Sequence, residues 1–150
     1  MSNPGPASTQ SIHPQGLLSN QAIRLIGSAQ GVSLNATGDA PQTIVAFDIS
    51  NYSVKNVVVT NANKDVSSGY IAVYTAPNGS SGSGSAVVSN AQLSSVTTST
   101  YVKEMTVVTT AISAQTLYVN VGTAVSGGTV DIYVYGYDFS AYPATNPIGA

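Results

Sequence analysis

Hydrophobic and polar positions alternate along most of this chain, and nowhere do apolar residues recur at three-and-four spacing over a helix-length run. A period of two sends successive side chains to opposite faces of a strand, so the pattern predicts β-structure and no helix. Runs rich in Val, Ile and Tyr predict strands near 22–29 (AIRLIGSA), 42–50 (QTIVAFDIS), 54–62 (VKNVVVTNA) and 69–76 (GYIAVYTA). Four more are predicted near 86–90 (AVVSN), 101–109 (YVKEMTVVT), 115–121 (QTLYVNV) and 129–138. Turn-forming segments separate them: NATGDAP at 35–41, NANKDVSS at 61–68, the Gly/Ser loop PNGSSGSGS at 77–85 and SGG at 126–128. Residues 91–100, AQLSSVTTST, read either as loop or as a ninth short strand. Short strands punctuated in this way predict an all-β domain, an antiparallel β-sandwich of jelly-roll type with about eight strands.

The same pattern divides the chain. Residues 1–20 are rich in Pro, Gly, Ser, Gln and Asn without any period, which predicts a flexible N-terminal arm. The sandwich domain then runs over 21–140. Residues 141–150, with Pro143 and Pro147, form a C-terminal tail.

Alternation also assigns faces. In the last strand Val130, Ile132 and Val134 share one side, the expected core side. Tyr133, Tyr135, Tyr137 and Phe139 form a row on the other, accompanied by Asp131. In 117–121, Leu117, Val119 and Val121 point inward, with Tyr118 and Asn120 outward. Alternation sets Val57 and Val59 against Val54, Asn56, Val58 and Thr60, and Tyr101, Lys103, Met105 and Val107 against Val102, Glu104, Thr106 and Val108. Several strands thus carry apolar or aromatic residues on both faces, whereas an isolated sandwich wets its outer faces. The tyrosine row has three readings: core packing between sheets, a protein interface, or a platform that stacks on sugar rings.

Composition sharpens this picture. Only 7% of the 150 residues are charged, against about 25% in an ordinary soluble domain. Polarity comes instead from 36 Ser and Thr residues. Strand edges guarded by Lys are hardly affordable with four basic residues, so the pattern predicts that much of the outer surface is covered by copies of the chain or by a larger partner. Those four, Arg24, Lys55, Lys64 and Lys103, are scattered and the net charge is −2. Nucleic acid is therefore not an expected partner. No apolar run reaches the ~20 residues of a membrane span, so none is expected to enter a bilayer. The opening MSNPGPASTQSIHPQG lacks the basic start and apolar stretch of a secretory signal, so an unprocessed, cytoplasmically made protein is expected. There is no cysteine, hence no disulfide or thiolate metal site.

Candidate chemistry is sparse. The one histidine, His13, sits in the arm, and no G-x-S-x-G turn accompanies it. The carboxylates Asp39, Asp48, Asp65, Glu104, Asp131 and Asp138 have no spacing that pairs them. Gly38-Asp39 before Pro41 reads as a turn rather than a calcium loop, since no Asp-rich run supplies further oxygens. GSSGSGS lacks the Lys of a phosphate loop, and the Asn-x-Ser/Thr triplets at Asn35, Asn51 and Asn78 have no secretory route. No enzymatic activity, metal or cofactor is expected.

Three stretches, IRLIGSAQGVSLNATGDAPQTIV (23–45), VKNVVVTNANKDVSSGYIAVYTAPNGSSGSGSAVVSNAQ (54–92) and LYVNVGTAVSGGTVDIYVYGYDF (117–139), resemble small head proteins of tailed bacteriophages. The likeness lies in the order of an LNATGD turn, a VTNA strand end, a Y-T-A strand before a Gly-rich loop, and a final D-x-Y-V-Y-G strand. It spans roughly residues 23–139, leaving the arm and tail outside. The resemblance implies a capsid decoration, or cement, protein: a β-sandwich that binds the outside of the major capsid protein lattice as an oligomer, often a homotrimer. Such a protein is made in the host bacterial cytoplasm and ends on the capsid exterior of the virion. Its interface candidates here are Tyr133, Tyr135, Tyr137 and Phe139 in the last strand, and Ile12, His13, Leu17 and Leu18 in the arm. The alternatives are a glycan-binding adhesion module that uses the tyrosine row, and a tail or baseplate subunit of the same architecture.

Overall fold

The computed structural model describes residues 23–46, 49, 51–79 and 84–139. The predicted arm and tail, and with them Ile12, His13, Leu17 and Leu18, lie outside the described residues. Nine strands follow in order: β1 (Arg24–Ser33), β2 (Gly38–Ala46), β3 (Tyr52–Thr60), β4 (Tyr70–Tyr74), β5 (Ala86–Gln92), β6 (Val102–Met105), β7 (Ala111–Ile112), β8 (Thr116–Thr123) and β9 (Thr129–Asp138).

Every pairing is antiparallel, and the principal ones are concentric: β1 with β9, β2 with β8, β3 with β6, β4 with β5. The chain is thus a long double ribbon rolled up on itself, the pairing of a jelly roll. Lateral ladders β1–β2, β4–β8 and β3–β9 join the ribbons into one sheet, β5-β4-β8-β2-β1-β9-β3-β6, with β7 added to β3. Folding between β1 and β2 makes two facing layers. The two ends of the sheet then meet, through a bridge between Val88 and Val107 and a bond from the Val108 N–H to the Val87 carbonyl at 2.9 Å.

Where they meet, the two ends cover each other's edges, so guarding lysines are not needed at that point.

The core fills the space between the layers. Val130, Ile132 and Val134 of β9, Val57 and Val59 of β3 and Val32 of β1 are fully buried, facing Leu117, Val119, Ile71 and Val73 from the other layer. Burying each such side chain contributes about 1.5–3 kcal/mol. Leu93 and Val96, in the segment that read as either loop or strand, are also fully buried. Beyond Gln92 that segment is turns, and its two aliphatic side chains join the core.

Irregularities in register account for the other departures. Between Val54 and Asn56 the ladder with β9 shifts, and Lys55 is the extra residue. Val54 is therefore buried on the same side as Val57, contrary to simple alternation. In β1 the shift between Ala29 and Val32 sets Gln30 and Gly31 against Asp131, with Gly31 at φ 62°. A left-handed residue of this kind carries the strand through a bulge at no steric cost to Gly. β1 consequently runs on to Ser33, past the end its alternation predicts. The turn expected at 35–41 closes sooner, because β2 begins at Gly38. Asp39 and Pro41 belong to that strand, and Pro41 falls in the register shift between Asp39 and Thr43, where its missing N–H costs no ladder bond. β6 is shorter than the predicted 101–109, and β7 was not foreseen.

Candidate interaction surface

The outward side of β9 is where the tyrosine row lies. Val130, Ile132 and Val134 are buried, whereas Tyr133, Tyr135 and Tyr137 are half-buried and Phe139 is 37% exposed. Core packing between sheets is therefore not their arrangement. A buried tyrosine does exist, but elsewhere: Tyr52 of β3 is 1% exposed and donates its hydroxyl to the Ala114 carbonyl at 2.6 Å. Burial pushes its pKa up to about 12.

Register extends the outward row across β1, β9, β3 and β6 and round the fold of the sheet to β2. Val45 of β2 lies opposite Ser28 of β1, Ser28 opposite Tyr133, Tyr133 opposite Val58 of β3, and Val58 opposite Glu104 of β6. One step along β9, Leu25, Tyr135 and Asn56 stand side by side, and one further step brings Ser53 beside Tyr137. Adjacent strands are about 4.8 Å apart, which makes these positions cross-strand neighbours. Val45 is 52% exposed at one end of the longest row, and Val102 of β6 is 46% exposed near the other.

Three exposed charged side chains, Arg24, Lys55 and Glu104, lie on the strands of this surface. Glu104 accepts a bond from the Asn56 amide at 3.1 Å, and Arg24 pairs with Asp138 at the lower end of β9 at 3.1 Å. The Tyr133 hydroxyl accepts a bond from the Gln30 amide at 3.4 Å. Tyr135 and Tyr137 have no hydroxyl partner among the described residues. Asp131, on the same side of β9, is not offered to a ligand. Its two oxygens accept from the Gly31 N–H and the Asn61 amide, each at 2.8 Å, and it is buried.

Two further aromatic features escaped the sequence reading. Tyr74 of β4 and Tyr118 of β8 are register partners on the outside of the opposite layer. Alternation had placed Tyr118 outward, but only the β4–β8 ladder brings the two together. Tyr101, which alternation set beside Met105, is instead 59% exposed at φ 63°. This left-handed backbone turns the ring away from the strand, and the Tyr101 carbonyl accepts from the Thr60 hydroxyl at 2.9 Å.

The remaining carboxylates are engaged in structure. Asp39 accepts from the Asn78 N–H at 2.6 Å and the Asn120 amide at 2.9 Å, tying β2 to the loop after β4 and to β8. Asp65 is held below the usual carboxylate range by the Ser67 hydroxyl and then the Ser67 N–H, which closes a turn. Asp48 lies outside the described residues. No group of three or more His, Cys, Asp or Glu side chains among the described residues could hold a metal ion. One open cleft of about 250 Å³ lies where the roll ends part, lined by Thr, Ser, Ala and Ile and by no titratable side chain. No helix among the described residues is long and apolar enough to cross a membrane. Compared with protein-family models, curated proteins and solved structures, the chain matches none.

Proposed function

We propose that this chain is a structural virion protein of a tailed bacteriophage, one that decorates the capsid by binding the outer surface of the major capsid protein lattice as a homo-oligomer, with a trimer as the expected form. The observation that carries the reading is the outward face of β1, β9, β3 and β6, with Tyr133, Tyr135 and Tyr137 at its centre and only three exposed charged residues, Arg24, Lys55 and Glu104, on its strands. Tyrosines supply large contact area and keep a polar tip for the partner. Each unpaired charge buried on docking would cost several kcal/mol, and this face brings few. The motif order from 23 to 139 directs the reading to the phage head. The jelly roll itself selects nothing, because the same architecture serves shell subunits and lectins alike.

The test uses purified shells that lack the protein. Added protein should co-sediment with them at a fixed stoichiometry and raise the temperature at which they rupture. Tyr135→Ser and Val45→Asp should each abolish both effects while leaving the protein folded. Glycan binding that is lost in Tyr133→Ala, with no affinity for shells, would establish the adhesion module instead. Density for the labelled protein on tails and none on heads would establish the tail subunit.

A further inference from the structure

We propose that Asn78 is a self-modification site, which loses its side-chain amide as ammonia by cyclising onto Gly79, and that Asp39 is the latch that sets how often this happens. After β4 the chain turns at Pro77, Asn78 and Gly79 in a left-handed backbone, with φ 72° at Asn78 and 54° at Gly79. Asn is among the few side chains that tolerate this region. At position 79 the fold demands glycine. Besides the positive φ, a Cβ there would lie 2.8 Å from Asn120 Nδ2. Asn120 of β8 does not swing freely aside, because its amide donates to Asp39 Oδ1 at 2.9 Å. The other carboxylate oxygen of Asp39 accepts from the Asn78 N–H at 2.6 Å. One side chain of β2 thus holds the turn directly and through the residue on which Gly79 packs.

The pair that this geometry requires is chemically labile. With no Cβ on the following residue, nothing shields the main-chain nitrogen from the asparagine side chain. The Gly79 nitrogen gives its proton to water and attacks Asn78 Cγ. The bond from Cγ to the amide nitrogen breaks, and ammonia leaves with a proton from water. A second water opens the five-membered imide at either carbonyl, which leaves aspartate or isoaspartate. The sum is one water consumed and one ammonia released, with no change of oxidation state. Asn78 is exposed, so water has access, and it alone among the asparagines of the chain precedes a glycine. Asn61 is the internal control: it has the same left-handed backbone, at φ 53°, but Ala62 follows it.

In the closed turn the attack is held back. Bringing the Gly79 nitrogen onto Asn78 Cγ rotates the peptide between them and lifts Gly79 off Asn120, which Asp39 opposes. The rate therefore follows the fraction of molecules in which the turn has opened. Once made, the product is slow to close again. It carries a new carboxylate on the residue that Asp39 grips, and like charges so placed repel. The latch becomes a one-way release.

The full chain is incubated at mildly alkaline pH, and its peptides are followed by mass spectrometry with aspartate and isoaspartate resolved. Asn78 should convert before every other asparagine among the described residues; earlier loss of ammonia at any of them would overturn the site. Asp39→Ala should raise the Asn78 rate at least about tenfold and leave Asn61 unchanged, with Asp39→Asn, which keeps one acceptor, between. An unchanged Asn78 rate would overturn the latch. So would equal acceleration at Asn61, the signature of general loosening. Asn78→Asp supplies the product charge directly, and its residue-78 amide should exchange about tenfold faster than in the parent. Unchanged exchange there would overturn the one-way release.

Discussion

Adjacent residues of β9 permit a direct test of which face is core. Ile132 is fully buried, with Ala29 and Val59 as its buried register partners. Ile132→Ala removes three carbons, which at ~0.8 kcal/mol each is about 2.4 kcal/mol of lost transfer energy. The cavity left in a core closed by two layers adds to this, for a total of about 3–4 kcal/mol. Tyr133 stands between Ser28 and Val58 on the outward face, half-buried, and its hydroxyl accepts only the long bond from Gln30. Tyr133→Ala should cost about 1 kcal/mol, the scale of a cross-strand pair. Urea denaturation followed by far-UV circular dichroism, at one protein concentration for all variants, reads both losses with the slope m as a check on two-state behaviour. The expected result is a destabilisation by Ile132→Ala about three times that by Tyr133→Ala. Equal losses would mean that the tyrosine row is packed as core, and the interaction surface would fall with it.

Three other outcomes follow from particular contacts. Tyr52 keeps its proton to about pH 12 in the folded chain against 10.0 for a free tyrosine. Its contribution is complete below pH 10 and falls by about 2–3 kcal/mol as pH rises through 12. Tyr52→Phe should cost about 1 kcal/mol near neutrality and lose that part of the alkaline decline, so its denaturation midpoint should converge on the parent's above pH 10. Asp131→Ala leaves the Gly31 N–H and the Asn61 amide without their acceptor and should cost about 2 kcal/mol. Asp131→Asn retains one acceptor and should cost less by the same urea assay. Gly136→Ala places a methyl group against the Ser53 carbonyl, a backbone atom that cannot swing aside. The β3–β9 ladder must then shift at about 2–3 kcal/mol, seen as a lowered thermal midpoint.

Local pattern determined a good deal of this protein. The two-residue period marked eight of the nine strands, and in β9 it separated Val130, Ile132 and Val134 from Tyr133, Tyr135 and Tyr137 correctly, because the extra residues at the register shifts lie in β1 and β3 and leave the alternation of β9 itself unbroken. It misplaced Val54 and ended β1 early, because an extra residue in one strand reverses the phase of everything beyond it, and only the partner strand reveals the extra residue. β7, two residues long, has no period to detect. Composition exposed the shortage of charge without saying where it mattered. Tertiary structure decided that, by rolling the sheet until its two ends met at Val88 and Val107, and by aligning Val45, Ser28, Tyr133 and Val58 from four strands into one outward row. Such a row joins residues distant along the chain through inter-strand register, so no single segment of sequence contains it.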